Sequence, residues 1–212
     1  MNCSTTVDYC IAADSSNSIL RNEDDFSTLV GIIAGIVDGL NVGPTAQDSR
    51  VAMVKYGRDV FREFNLTTYT DKDTLVNVIS NVASLPMTTP GGTNTPGAME
   101  ECVRIFEEEG REGVQRVIIV ITDGVTHYAG ETDAFDQERL EAATAVTGAA
   151  NTINYGVAFG SRVMDVIDRA TMELLTITGN NSDRVIIYPT LNEFANLTLM
   201  LTSNIGCCVS LC

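Results

Sequence analysis

The chain has 212 residues, enough for one large domain with an ample core, and 44% of them are hydrophobic, an ordinary share for a globular protein. Its 13 Lys and Arg against 28 Asp and Glu give a net charge of −15, which repels nucleic acid and anionic membrane surfaces and favours a basic partner surface or plain solubility. No apolar run reaches the roughly 18 residues of a membrane span, and Met1 leads into polar Asn2-Cys3-Ser4-Thr5, so the expectation is no direct membrane insertion and a start just after a removed signal peptide.

In chain order, Val7 to Ala13 is a short apolar run closed by Asp14, the pattern of a buried strand. Glu23-Asp24-Asp25 supplies the acidic first turn of a helix whose stripe runs through Leu29, Ile32, Ile33, Ile36, Val37 and Leu40 and ends near Gly39 or Gly43. Arg50 to Tyr56 and Val60 to Leu66 read as two strands joined by Gly57-Arg58-Asp59, one of them an antiparallel edge strand. Leu75, Val78, Ile79 and Val82 mark a second helix begun by Thr70 or Asp71. Met99, Cys102, Val103 and Phe106 mark a third after Pro96, with Gly110 and Gly113 bracketing its end.

Val117 to Thr122 is Val-Ile-Ile-Val-Ile-Thr, the continuous apolar pattern of a strand buried on both faces. Leu140 to Ala150 reads as an Ala-rich helix, Ile153 to Phe159 as a strand closed by Gly160, and Val163, Val166, Ile167, Ala170 and Leu174 as one further helical stripe. Val185 to Tyr188 is the last strand, and Thr190-Leu191-Asn192-Glu193 forms a capping box ahead of a stripe from Phe194 to Ile205. This alternation predicts an α/β fold: a doubly wound, mostly parallel central sheet with one antiparallel edge strand, flanked by helices, whose ligand site lies beyond the carboxyl ends of the strands. A single domain over residues 1–212 is expected, with Cys-containing terminal segments 1–6 and 206–212.

The six cysteines, Cys3, Cys10, Cys102, Cys207, Cys208 and Cys212, are an even count clustered at the ends, which suggests disulfides formed in an oxidising compartment. Zinc is the competing use, but the Cys-Cys-x-x-x-Cys tail has no second Cys-x-x-Cys and His127 is the single histidine. Among the many possible pairings, Cys10 in the first strand with Cys102 on an inward helix face is one expected bridge. Sequons at Asn2, Asn65, Asn180 and Asn196 are glycosylation candidates compatible with secretion.

Three distant segments end apolar runs with oxygen-bearing side chains: Asp14-Ser15-Ser16-Asn17-Ser18, Gly91-Gly92-Thr93-Asn94-Thr95 and Thr122-Asp123-Gly124. Asp14 closes a strand, so the Ser16 and Ser18 hydroxyls on the following loop can converge on one point, with Thr93 and Asp123 arriving from neighbouring loops. A carboxylate-hydroxyl mixture suits a hard cation such as Mg²⁺ or Mn²⁺, with Ca²⁺ ranked below them. A Ser-rich turn by itself serves commonly as an Asx turn or helix cap; the three segments together carry the signal.

The arrangement resembles the metal-ion-dependent adhesion site of von Willebrand factor A domains, also called integrin inserted domains, and the resemblance extends over nearly the whole chain. It implies that Ser16, Ser18 and Thr93 touch the metal while Asp14 and Asp123 hold it largely through waters, leaving a position for a partner's Glu or Asp. It implies that Asn17, Thr88, Thr89, Asn94, His127 and Tyr128 rim the site. It also implies that the chain ends meet opposite the metal, which would pair Cys3 with Cys207 or Cys208 and restrain any slide of the last helix.

Other chemistries fit less well. Gly91 to Thr95 lacks the Lys of a phosphate-binding loop. A hydrolase built on Asp14 would need a general base or a charge-stabilising cation near it, and no such constellation is evident. The expectation is therefore a secreted, non-enzymatic module of the extracellular matrix or a cell-surface ectodomain that binds collagen or another matrix glycoprotein. A structural matrix-assembly module with a non-essential metal site is the alternative, and a metal-dependent hydrolase ranks below both. The resemblance implies a monomeric domain, and no heptad repeat is present that would drive assembly.

Overall fold

The computed structural model describes residues 6–20, 23–81, 91–128, 130–160 and 162–188. Fifteen labelled elements follow in chain order. These are β1 (Val7–Asp14), α1 (Asn17–Leu20), α2 (Glu23–Gly39), β2 (Arg50–Tyr56), β3 (Val60–Phe64), α3 (Lys72–Ser80), β4 (Gly92–Thr93) and α4 (Thr95–Glu109). Then come β5 (Gln115–Thr122), β6 (His127–Tyr128), α5 (Asp133–Ala149), β7 (Thr152–Phe159), α6 (Arg162–Asp165), α7 (Ile167–Ile177) and β8 (Val185–Tyr188).

Six strands form the main sheet in the order β3-β2-β1-β5-β7-β8. All neighbours pair in parallel except β3, which runs antiparallel on β2 at one edge. The fold is thus the α/β architecture expected, with the apolar β1 and β5 side by side in the middle, where both faces need cover. Their register sets Ala13 beside Ile121 and Asp14 beside Tyr56, so both strands run out at one level of the sheet.

Period-two alternation divides the core. Tyr9, Ile11, Ala13, Ile119 and Ile121 face α2 and α3, packing on Ile33, Ile36, Leu75 and Ile79. Cys10, Ala12, Ile118 and Val120 face α4, α5 and α7, packing on Met99, Phe106, Leu140 and Leu174. On this second face a disulfide joins Cys10 to Cys102, tying β1 to α4 across 92 residues of sequence. α7 lies so close to β7 that a Cβ on Gly156 would stand 2.8 Å from Leu174 Cδ2, which is why that position carries no side chain.

Helix starts follow local chemistry. Asp71 caps α3 by accepting from Thr74 N–H at 2.8 Å, and Asn94 caps α4 by accepting from Gly97 N–H at 3.1 Å. Thr132 caps α5 in the same way, through Phe135 N–H. That cap begins α5 at Asp133, well ahead of the expected Leu140: the stretch before Leu140 is mostly polar, and its buried residue is Asp136 rather than an apolar one, so hydrophobic periodicity alone does not register it. The stripe expected as one helix from Val163 to Leu174 is two, α6 and α7, broken at Val166. β3 stops at Phe64, short of Leu66. The expected final helix, with its capping box at Thr190, lies outside the described residues, as do Val82, Cys3, Cys207, Cys208, Cys212, Asn2 and Asn196.

Candidate metal centre at the carboxyl end of the sheet

β1 and β5 deliver Asp14 and Thr122-Asp123 to the same edge of the sheet, where parallel neighbours leave a crevice. Asp14 is fully buried and Asp123 nearly so, at 0% and 2% exposed. Beyond Asp14 the chain turns sharply. Ser15 N–H donates to Tyr56 C=O at 2.6 Å, and Ser16 N–H folds back onto Asp14 Oδ1 at 2.8 Å. This Asx-type turn is the local reason that Ser16 and Ser18 point inward together.

The hydroxyls close the cluster. Ser16 Oγ and Ser18 Oγ are hydrogen-bonded at 2.8 Å, and Ser18 Oγ donates to Asp123 Oδ1 at 2.8 Å. On the other flank Thr122 Oγ1 donates to Asp14 Oδ2 at 2.7 Å and accepts from Gly124 N–H at 3.1 Å. Burial, and then the nearby charge of Asp123, push the Asp14 carboxyl up to about 7, against the opposing pull of hydrogen bonds from Thr122 and Ser16. Burial and the Asp14 charge likewise push the Tyr56 phenol well up, so it stays neutral.

Thr93 sits in a two-residue strand, β4, that pairs antiparallel with β6, with Thr93 opposite His127. This ribbon joins the second and third oxygen-bearing segments into one unit. Asn94 N–H donates to Gly57 C=O at 2.7 Å, which attaches the same segment to the β2–β3 turn. Of the expected rim residues, Asn94 has its Oδ1 occupied as the α4 cap and as acceptor from Arg139 Nη2 at 3.1 Å. His127 is exposed, its Nδ1 3.9 Å from buried Asp136 Oδ2. Asn17 opens α1, Tyr128 lies in β6, and Thr88 and Thr89 fall outside the described residues.

Two carboxylates and a set of neutral hydroxyls, with Asp14 held above its ordinary range by burial and by Asp123, fit a small divalent cation. Such an ion would relieve the repulsion that now disfavours ionised Asp14. Among the described residues no three His, Cys, Asp or Glu side chains gather as a metal cage; any cation here would rely on hydroxyl oxygens as well.

Several residues of the site carry no sequence signal of their own. Tyr56 reads only as an ordinary strand residue, and Arg139 falls ahead of the helix start expected at Leu140. Glu173 and Arg169, on α7, reach the loop after Asp123 from far along the chain. Burial raises the Glu173 carboxyl, while its bonds to Thr126 and the charge of Arg169 oppose that rise.

The two described sequons differ. Asn65 Nδ2 donates to Glu109 Oε1 at 2.7 Å and Thr67 Oγ1 donates to Glu109 Oε2 at 2.8 Å, so both ends of that sequon engage α4. Asn180 is exposed in a left-handed turn, φ 63°.

A doubly wound sheet with a carboxylate-hydroxyl cluster at the ends of its two central strands defines a class of ligand-binding α/β domain. The sequence matches the von Willebrand factor type A domain over residues 8–198, and the chain belongs to that family. It is 34% identical to mouse matrilin-3 over 125 residues, 57% of this chain and 25% of the matrilin. It is 33% identical to chicken integrin alpha-1 over 132 residues, 59% of this chain and 42% of the integrin. The match thus takes in less than half of either relative's length.

The fold is also that of proximal thread matrix protein 1 from the mussel byssus, solved with a zinc-occupied MIDAS motif. That likeness has a TM-score of 0.73 at 18% identity and covers 97% of this chain and 47% of that one. Manganese-loaded Plasmodium vivax TRAP protein is similar at a TM-score of 0.72 and 16% identity, over 94% of this chain and 73% of that one. Among the described residues, no helix is long and apolar enough to cross a membrane.

Proposed function

We propose that this chain is an extracellular adhesion or matrix-binding module that takes hold of a protein ligand through a divalent metal. Asp14, Ser16, Ser18, Thr93 and Asp123 would hold the ion. Bound there, Mg²⁺ or Mn²⁺ would supply a Lewis-acidic position for a carboxylate of the partner. The observation that carries this reading is the buried Asp14–Asp123 pair bridged by Ser and Thr hydroxyls at the end of the sheet.

Each residue has a definable task. Asp14 and Asp123 supply the negative charge; Ser16, Ser18 and Thr93 supply neutral oxygens that leave the site electrophilic. Thr122 and the Ser16 amide fix the Asp14 carboxylate so that it is oriented before any ion arrives. Thr93 depends on the β4–β6 ribbon for its position. The partner would be a protein presenting Asp or Glu, with collagen or another matrix glycoprotein as the leading class. The net charge of −15 favours basic surroundings for that carboxylate. The relatives named above, matrilins and integrin alpha chains, support a non-enzymatic role outside the cell.

The test is a calorimetric titration of Mg²⁺ and Mn²⁺ into chelator-stripped protein beside Asp123→Ala, followed by binding to immobilised collagen with and without chelator. Metal uptake that the variant loses, with collagen capture that the chelator abolishes, is expected. A wild-type protein that takes up neither ion would overturn the reading.

A further inference from the structure

The segment between Asp123 and β6 is gripped from an unexpected side. Thr126 N–H donates to Glu173 Oε2 at 2.6 Å, and Thr126 C=O accepts from Arg169 Nη2 at 3.0 Å. One peptide position is therefore held at both its donor and its acceptor by two side chains of α7. The pair is braced in turn: Arg169 Nε donates to Glu173 Oε1 at 3.3 Å, and Arg169 Nη1 lies 3.0 Å from Asp133 Oδ1 at the start of α5. Thr126 and Glu173 are both buried, at 3% and 8% exposed.

Thr126 stands at a junction. On its amino side is Asp123; on its carboxyl side is His127, whose strand pairs with β4 and so with Thr93. Fixing Thr126 fixes two of the three oxygen-bearing segments at once. A loop would otherwise rely on its own short hydrogen bonds, and loop segments open locally at little free-energy cost.

We infer that Glu173 and Arg169 are positioning residues for the candidate metal centre, acting through the backbone of Thr126 to set Asp123 and Thr93 together. The inference rests on the proposed metal reading for its consequence and on the observed clamp for its mechanism. Groups that orient the ligands of a metal site are worth about 10–100-fold in metal affinity when removed. Glu173→Gln keeps an acceptor for Thr126 N–H but loses the charge that holds Arg169; Arg169→Met loses the donor to Thr126 C=O.

The experiment measures Mn²⁺ affinity by calorimetry and amide hydrogen exchange of the 124–128 segment, for wild type, Glu173→Gln, Arg169→Met and Leu174→Ala. Leu174, about 100° round α7 from Glu173, is buried against Gly156 and makes none of the clamp's hydrogen bonds, so its variant reports destabilisation of the helix. Expected are a roughly 10–100-fold weaker Mn²⁺ affinity and faster exchange in both clamp variants, with Leu174→Ala near wild type in affinity. Affinities within about twofold of wild type in the clamp variants, or an equal loss in Leu174→Ala, would overturn the inference. If wild type takes up no Mn²⁺, the adhesion reading fails and the exchange arm decides the clamp alone. Faster exchange of 124–128 in metal-free Glu173→Gln then sustains it, and unchanged exchange overturns it.

Discussion

Asp8 and Asp14 stand at opposite ends of β1, on the same face of the sheet, and both are 0% exposed. Their surroundings could hardly differ more. Asp8 meets a full countercharge: Arg111 donates to it from Nε at 2.9 Å, from Nη2 at 2.6 Å and from its backbone N–H at 2.8 Å. The same guanidinium reaches on to the carbonyls of Ala46 and Asp48. Asp14 meets Ser and Thr hydroxyls, an amide and a second carboxylate, and its proton affinity rises to about 7 accordingly. A buried carboxylate that the chain neutralises itself holds structure together; one left beside another carboxylate is where the proposed cation would be held.

The largest effect that would sharpen this contrast is at the closed end. Arg111→Met leaves Asp8 buried without its countercharge, and a loss of about 3–5 kcal/mol in unfolding free energy is expected from urea denaturation. Mn²⁺ affinity at the far end of the strand should stay within about twofold of wild type. A large change in affinity would show that the two ends are not independent.

Next in size is the middle of the same strand. Reducing the Cys10–Cys102 bridge, or replacing both residues by Ala, releases a cross-link spanning 92 residues. The expected cost is about 2–5 kcal/mol, read as a fall in melting temperature with the fold retained. Protein that melts identically with and without reductant would contradict it.

At the open end the sign reverses. Asp14 takes up its proton near pH 7 in the metal-free fold and near 3.8 when unfolded. Its favourable contribution is therefore fully present below pH 3.8 and is lost as pH rises through 7. Metal-free Asp14→Asn should thus be more stable than wild type at pH 8, by up to about 4 kcal/mol, and the advantage should vanish by pH 4. Melting curves in chelator across that range test it, and added Mg²⁺ should stabilise wild type but not the variant. A variant less stable than wild type at pH 8 in chelator would mean that Asp14 already has its compensation within the chain.

The smallest effect concerns Thr122. Thr122→Val removes the hydroxyl that donates to Asp14 Oδ2. It should lower stability by about 1–2 kcal/mol and weaken Mn²⁺ binding several-fold, as measured by denaturation and calorimetry. No change in either quantity would leave the hydroxyl without a role in orienting Asp14.

Much of this was legible in the chain itself. Apolar runs ending in Asp14 and Thr122-Asp123 announced buried central strands, because a strand covered on both faces must be apolar throughout. The hydroxyl-rich turns after them marked candidate oxygen donors at the strand ends, because residue type and position after a strand are local properties. Secondary structure failed where the signal was weak: the polar start of α5, set by the Thr132 cap, and the break at Val166 that divides one stripe into two.

What the sequence determined, then, is the alternation of strands and helices, the charge, and which short segments could offer oxygen to a cation. Only the tertiary structure decided which of those segments meet, that Asp8 is neutralised while Asp14 is not, and that Thr126 is gripped from α7. Those are contacts between residues distant in sequence, fixed by how parallel strands are ordered and how helices cover them, and no local pattern encodes such a pairing.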